Sequence, residues 1–217
     1  MSTALPSDSK DPVVVASVAT TKEVLALPEL HEGLLEPWER ERLSKIRLPG
    51  RRDDVLASRL LLRQCIARAT GLPLRGSVPA QFCTECGQRG HGRPYLPDHP
   101  GLGVSLSHAE GLVAAAVGPG AVGVDVELLT RRPAPWSALH RVLPESELRL
   151  AAAQADPEVA MLRLWVRREA RVKAGEQGLR LLEWTDHYRK AVVAVASCVP
   201  VASGRSVSDH GWPATRP

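Results

Sequence analysis

Three short apolar segments in the middle of the chain, separated by turn residues, constrain its fold most. They run over residues 102–106, 112–117 and 122–128. Glu110-Gly111 fills the first gap and Gly118-Pro119-Gly120 fills the second. Short apolar runs bounded by glycine and proline indicate β-strands, and such narrow gaps favour antiparallel neighbours. The spacing therefore predicts an antiparallel meander, and a final buried strand is predicted over residues 192–199.

Helical periodicity is found on both sides of these strands. From residue 28 to residue 70, apolar residues recur mostly at steps of three to five, and Pro49-Gly50 interrupts the pattern. Two helices are therefore predicted there. Further helices are predicted over residues 137–143, 145–154 and 157–174.

Length and composition exclude several classes of protein. The chain has 217 residues, of which 44% are hydrophobic and 24% are charged, so it is long enough to form a stable core. No apolar run approaches the ~20 residues of a membrane span, and the N-terminus lacks the pattern of a secretion signal. A cytoplasmic protein without membrane contact or a disulfide framework is therefore expected. Residues 203–217 are rich in Gly, Ser and Pro, and we expect this tail to be disordered.

Positive charge is concentrated between Arg40 and Arg75. This segment contains ten Lys or Arg residues against three acidic ones, an excess of seven positive charges. Such a patch suits a nucleic acid, an acidic protein surface or a phosphorylated cofactor, and a solvated helix face is the alternative. Arg51, Arg52 and Arg59 belong to the second predicted helix, whose N-terminal dipole also favours an anion.

The sequence Gly123-Val124-Asp125-Val126-Glu127 places two carboxylates on one predicted strand. Because successive strand residues point to opposite faces, Asp125 and Glu127 share a face. Their repulsion is offset best by a cation, and Mg2+ prefers oxygen ligands and keeps waters for substrate phosphates. A solvated face of the strand is the alternative interpretation.

The predicted helix over residues 157–174 adds a third carboxylate. Trp165, Glu169 and Lys173 are spaced by four residues and therefore lie along one stripe. Glu169 is a candidate metal ligand or general base, and Lys173 is a candidate to neutralise a phosphate oxygen. An ordinary salt bridge on a solvated helix is the alternative.

Two further motifs come earlier in the chain, Gly92-Arg93-Pro94 and the Ser107-His108 pair at a strand end. The order and spacing of these motifs, the acidic strand and the Glu169 helix resemble the Sfp-type 4'-phosphopantetheinyl transferase family over roughly residues 36–182. Arg168 stands where that family usually has lysine. The first glycine after Lys173 falls one position early, so the loop that follows is expected to differ in shape.

The resemblance implies both a fold and an activity. Family members are α+β proteins in which two similar halves, each a small antiparallel sheet with packed helices, form a pseudo-dimeric monomer. The halves here would be residues 1–101 and 102–202, with the cofactor in the cleft between them. The enzyme would transfer the 4'-phosphopantetheine group from coenzyme A to a serine hydroxyl of an acyl or peptidyl carrier protein. It would need Mg2+, release adenosine 3',5'-bisphosphate, and serve polyketide or nonribosomal peptide biosynthesis.

The resemblance also implies roles for particular residues. Asp125, Glu127 and Glu169 would hold Mg2+, and Glu169 would take the serine proton, directly or through a metal-bound water. Lys173 would stabilise the transferring phosphate. Coenzyme A would be bound by a larger set that consists of Arg51, Arg52, Arg59, Arg93, Pro94, Ser107, His108 and Lys173.

Cys83 and Cys86, followed by His91, form half of a zinc motif. Structural zinc takes four ligands, so His99 or solvent would complete the site. A glycine-rich loop with two reduced thiols is the alternative. Together with the basic segment, this motif gives a second hypothesis, a small basic zinc-containing module that binds nucleic acid. That hypothesis leaves the acidic strand and the Glu169 helix unexplained, so we expect no nucleic-acid partner.

Overall fold

The computed structural model describes residues 12–131, 139–175 and 178–202. Its strands are β1 Val14–Thr20, β2 Ala80–Phe82, β3 Arg93–Tyr95, β4 Leu102–Ala109, β5 Leu112–Pro119, β6 Val122–Leu128, β7 Arg180–Asp186, β8 Ala191–Ser197 and β9 Val201–Ala202. Its α-helices are α1 Thr21–Leu25, α2 Pro37–Ser44, α3 Pro49–Thr70, α4 Glu145–Ala152 and α5 Pro157–Ala174. Short 3-10 helices cover Glu32–Leu34 and Leu74–Gly76. The described fold is α+β.

The strands form three small sheets. Their strand orders are β4-β5-β1-β9, β6-β8-β7 and β2-β3, and every pairing is antiparallel except that of β1 with β9. The predicted meander is correct for β4 and β5 but wrong for its third strand, because β6 pairs with β8. Gly120, with φ of 70°, allows the turn that leads the chain from the first sheet to the second.

The two larger sheets stack between helices. Alternate residues of β5 face opposite ways, so that Ala115 packs towards α3 and Ala114 packs towards the second sheet. On the far face of the second sheet, Val166 and Ala170 of α5 pack against Ala194. The order of layers is therefore α3, first sheet, second sheet, α5. Strand β8 is buried at every residue because both of its faces are covered.

Local signals explain where the main helices begin and end. Helix α3 begins at Pro49 and is followed by Gly71 with φ of 75°. Helix α5 begins after Asp156, whose carboxylate accepts the Val159 amide, and is followed by a left-handed Gly175. The predicted helices that correspond to α3, α4 and α5 and the break before Pro49 are confirmed.

Some predictions fall wholly or partly outside the described residues, and some elements were not predicted. The helix expected over 137–143 lies partly in the undescribed part of the chain, and the tail 203–217 lies wholly in it. Strands β1 and β7 were not predicted. The division expected at residue 101 falls between β3 and β4, whereas β4 and β5 join β1 in the first sheet. The similarity of two halves stays a prediction. None of the described helices combines the length and the apolar composition needed to cross a membrane.

Candidate active site

Strand β6 holds two buried carboxylates on the face opposite its valines. Val124 and Val126 pack into the core between the two sheets. Asp125 and Glu127 are each only 5% exposed. The Oδ1 atom of Asp125 accepts hydrogen bonds from Ser107 Oγ and Lys173 Nζ, both at 2.7 Å. The alternation of the strand thus separates apolar from acidic side chains as the sequence predicts.

One oxygen of each carboxylate has no hydrogen-bond partner. These atoms are Oδ2 of Asp125 and Oε2 of Glu127, and both are buried. The other oxygen of Glu127 accepts from the guanidinium of Arg131. Burial raises the pKa of Glu127 and the Asp125 charge adds to this rise, whereas Arg131 and the nearby indole of Trp165 oppose it. Because buried acceptors are normally paired, two unpaired carboxylate oxygens on one strand face fit a cation ligand.

Helix α5 lies directly against β6 because residue 123 has no side chain. A Cβ atom at Gly123 would collide with the carbonyl oxygen of Ala170 and would lie 2.5 Å from the amide nitrogen of Ala174. This close approach lets Lys173 reach Ser107 Oγ at 2.8 Å as well as Asp125. The glycine of the acidic motif therefore sets the distance between the helix and the strand.

We expect Gly123→Ala to lower the free energy of unfolding by more than about 2 kcal/mol, because neither backbone can move away without opening the core. Urea denaturation would measure the change. Gly50→Ala is the control, since an added Cβ there meets nothing within 4 Å. Its expected effect is stabilising and at most about 1 kcal/mol. Equal small changes in the two variants would contradict the close-packing explanation.

Glu169 lies on α5, half-buried, with a raised pKa. Burial is the main cause of the rise and the Asp125 charge adds to it, while Lys173 and Arg168 oppose it. Among the described residues, the three carboxylates do not form a group whose oxygens all lie within 4.8 Å of one another. The ammonium of Lys173 makes an ion pair with Asp125. The predicted ligands are therefore near one another but are not gathered around a point.

Replacing Glu169 with glutamine is expected to stabilise the metal-free protein at neutral and higher pH. The raised pKa means that the folded state binds this proton more tightly than the unfolded state. The stability that this proton adds is fully present below the pKa that Glu169 has in the unfolded chain. It is lost as pH rises through the higher pKa that Glu169 has in the folded protein. Glutamine mimics the protonated form, so Glu169→Gln should raise Tm by on the order of 2 °C at about pH 8 and leave it unchanged at about pH 4.

Thermal unfolding in EDTA would test this pH dependence. Glu158→Gln is the matched control because Glu158 is exposed in the first turn of the same helix, where a negative charge is favourable. That control should not gain stability at any pH. If Glu169→Gln raises Tm by the same amount at both pH values, the gain does not come from a raised pKa of Glu169.

A cavity of about 510 Å³ is lined by Ser107 and Lys173, which both bond Asp125, but by none of the three carboxylates. Five of the residues predicted to bind the cofactor line it, namely Arg93, Pro94, Ser107, His108 and Lys173. They come from β3, β4 and α5, so the fold brings together residues that are up to 80 positions apart. The cavity is large enough to hold part of a ligand of nucleotide size.

Ser107 and His108 point to opposite faces of β4. Ser107 is buried and donates a hydrogen bond to Asp125 of β6. Partial removal from water lowers the pKa of His108, and the positive charges of Lys173, Arg51 and Arg59 lower it further against the opposing charge of Asp54. A neutral imidazole at the cavity wall can donate one hydrogen bond without carrying charge.

Arg93 is held by the end of helix α5. Its guanidinium donates to the carbonyl oxygen of Ala174, the kind of contact that the negative end of a helix favours. Gly175 leaves room for it, because a Cβ atom there would lie 2.5 Å from Arg93 Nη1. The guanidinium of Arg93 therefore connects β3 to α5 at the cavity wall.

The arginines of α3 are less available than the sequence suggests. Arg52 pairs with Glu32 at 2.7 Å, and Arg59 pairs with Glu39 at 2.7 Å while lying 5.1 Å from the Trp38 ring centre. Arg51 has no ion pair with another described residue. The basic segment is thus partly an internal ion-pair cluster, which weakens the nucleic-acid hypothesis.

Glu39 is the residue that sequence reasoning missed. It is fully buried on α2 and also accepts hydrogen bonds from Arg63, which is fully buried too. One signal was available, since Glu39 stands four residues before the buried Leu43 and therefore on the apolar face of its helix. Its carboxylate compensates the charge of two buried arginines.

Residues 121–196 match the model of the 4'-phosphopantetheinyl transferase superfamily. The matched segment extends from just before β6 nearly to the end of β8 and contains Asp125, Glu127, Glu169 and Lys173. Arg93 and the Ser107-His108 pair lie before it. No curated protein matches the chain. The match supports this superfamily, and phosphopantetheinyl transfer as the general class of activity, without distinguishing the Sfp type from other members.

Proposed function

We propose that the chain is an Sfp-type transferase that moves 4'-phosphopantetheine from coenzyme A to a serine hydroxyl of an acyl or peptidyl carrier protein. The observation that carries this proposal is the pair of buried, unpaired oxygens on Asp125 and Glu127, next to Lys173 and a cavity. The superfamily match over the same residues supports it.

The acidic face is the proposed site of Mg2+. Asp125, Glu127 and Glu169 offer only carboxylate oxygens, which are the donors that this ion prefers. The two unpaired oxygens are the strongest indication that these residues suit Mg2+, because burying a carboxylate oxygen without a partner is unfavourable. When bound, the ion supplies positive charge that offsets charge on the pyrophosphate and the leaving group.

Glu169 is the proposed general base. It accepts the proton of the carrier serine, whose oxygen forms a bond to the phosphorus that bears pantetheine. The bond from that phosphorus to the bridging oxygen breaks, and the oxygen leaves with adenosine 3',5'-bisphosphate. The raised pKa of Glu169 makes it a stronger base than an ordinary carboxylate. Lys173, at the cavity wall, neutralises charge on the transferring phosphoryl group.

The remaining cavity residues bind coenzyme A in this proposal. His108 donates a hydrogen bond to the pyrophosphate, with Ser107 beside it, and Arg93 and Pro94 line the wall near the adenine and its 3'-phosphate. Of the three α3 arginines, Arg51 is best suited to a phosphate because Arg52 and Arg59 are already paired with glutamates. The enzyme is expected to be a cytoplasmic monomer with two similar halves that serves carriers of polyketide or nonribosomal peptide synthesis.

The test is to incubate the full chain with coenzyme A, Mg2+ and a panel of unmodified acyl and peptidyl carrier proteins, and to measure each carrier by intact mass. At least one carrier should gain the mass of phosphopantetheine. The same carrier with its acceptor serine replaced by alanine should gain nothing, and EDTA should prevent the gain. If no carrier in a broad panel changes mass, the proposed function is wrong.

A further inference from the structure

We infer that Cys83, Cys86 and His91 bind a zinc ion that holds the β2–β3 hairpin in place. The three ligand atoms all lie within 4.8 Å of one another, and Cys86 Sγ lies 3.1 Å from His91 Nε2. Within residues 12–131, 139–175 and 178–202, this is the one group of three or more His, Cys, Asp or Glu side chains with that spacing. Both cysteines are free thiols.

The ligand chemistry favours zinc. Two thiolates and one imidazole are the soft and borderline donors that zinc takes in proteins, unlike the oxygen-only set of the acidic face. His99 is not part of the group, and the described residues contribute no fourth ligand to it. The fourth position is therefore open to solvent, next to side chains that are exposed or half-buried.

The backbone around Cys83 is arranged as in a metal-binding turn. The Gly87 amide donates to the Cys83 carbonyl at 2.9 Å, and Gly87 has φ of 70°. The amides of Cys86 and Glu85 also donate to the Cys83 sulfur. Such donors stabilise a thiolate, which is the form that binds a metal.

The β2–β3 hairpin has no buried side chain of its own. Strands β2 and β3 have three residues each, and no side chain from Ala80 to Tyr95 is buried. Isolated two-stranded hairpins are marginal in water, and small units without a core often depend on a metal. The two ends of the loop between β2 and β3 lie close together, since a Cβ atom at Gly92 would lie 2.8 Å from Cys83 Cα. A metal would join the two ends of this loop.

The hairpin contributes to the cavity wall, so its position has consequences there. Gln81 donates to the Gly92 carbonyl at 2.9 Å and accepts from Arg59 at 3.2 Å. Arg93 contacts the end of α5. Both residues line the cavity, whereas the zinc ligands do not. The zinc therefore has a positioning role and takes no part in the reaction, and its presence does not depend on the proposed function.

Zinc content tests the site without any assay of activity. The full chain, with its purification tag removed, should contain zinc in equimolar amount after dialysis, as measured by plasma mass spectrometry. Cys83→Ser and Cys86→Ser should each lose most of it. Cys198→Ser is the matched control, because Cys198 is exposed and lies outside the group, and it should keep its zinc. Cobalt in place of zinc should give a thiolate-to-metal absorption band that Cys83→Ser lacks.

Three results would overturn the inference. They are wild-type protein free of zinc after growth with added zinc, a Cys83→Ser variant that retains it, and a Cys83–Cys86 disulfide in the purified protein. Hydrogen exchange tests the positioning role. Removal of zinc should increase exchange over residues 81–95 and leave β6 and β8 unchanged. Unchanged exchange in the hairpin would show that the ion does not hold it.

Discussion

Asp125→Asn is expected to reduce kcat/KM for carrier modification by more than about 100-fold. Changing a residue that only supports a metal ligand commonly costs 10- to 100-fold, so loss of a ligand charge should cost more. Asparagine keeps the size of the side chain and can still accept from Ser107 and Lys173 through one oxygen. Its amide nitrogen, however, replaces an oxygen at a position where Asp125 Oδ2 now has no partner. The measurement is initial rate against coenzyme A concentration, read by intact mass.

Thermal unfolding and a control variant distinguish the loss of the Asp125 charge from a loss of folding. The Tm of Asp125→Asn in EDTA should stay within a few degrees of wild type, because Lys173, which loses its ion pair, is 30% exposed and can reach water. Glu158→Gln removes a carboxylate from the exposed first turn of α5 and should keep normal kcat/KM. If kcat/KM of Asp125→Asn is within about threefold of the wild-type value, the carboxylates of β6 take no part in the mechanism.

Glu39→Gln is expected to lower the free energy of unfolding by about 3–5 kcal/mol, because it leaves buried positive charge without compensation. Arg63 is fully buried and Arg59 is 6% exposed, and both donate to the Glu39 carboxylate. Burial already lowers the pKa of Arg59, and the Glu39 charge opposes this shift. Loss of that charge should therefore destabilise the packing of α2 on α3. Urea denaturation measures the effect.

Glu41→Gln is the control for this prediction. Glu41 lies on the same helix, two residues later, and its ion pair with Lys45 is exposed. Such pairs contribute little, so no measurable change in the free energy of unfolding is expected. A loss of less than about 1 kcal/mol in Glu39→Gln would mean that the two arginines find other partners or reach solvent. In that case Arg59 would again be a candidate for binding phosphate.

Local patterns predicted α3, α4, α5 and the central strands well. The periodicity and the proline of α3, and the Asp156-Pro157 start of α5, are signals contained within a few residues. The alternation in β6 correctly separated Asp125 and Glu127 from the valines, because side-chain direction in a strand depends only on residue order. Strand β1 was missed although its apolar run is typical of a buried strand.

Long-range pairing explains what the sequence did not reveal. The narrow gap before β6 favoured pairing with β5, but β6 pairs with β8, a strand more than 60 residues later. The contact of Ser107 with Asp125 depends on two sheets meeting and has no local signal. Counting charge between residues 40 and 75 overlooked Glu39, which stands just outside that window and neutralises two of its arginines from the core. Each error arose where a partner is distant in the chain.

In the proposed reaction, every carrier modified releases one adenosine 3',5'-bisphosphate from coenzyme A. Measuring both products in the same reaction tests that claim most directly, with the carrier read by intact mass and the bisphosphate by chromatography. We expect equal amounts of the two products at every time point with wild type, and a parallel decrease of both with Asp125→Asn. Release of bisphosphate without modification of any carrier, or modification without its release, would contradict it.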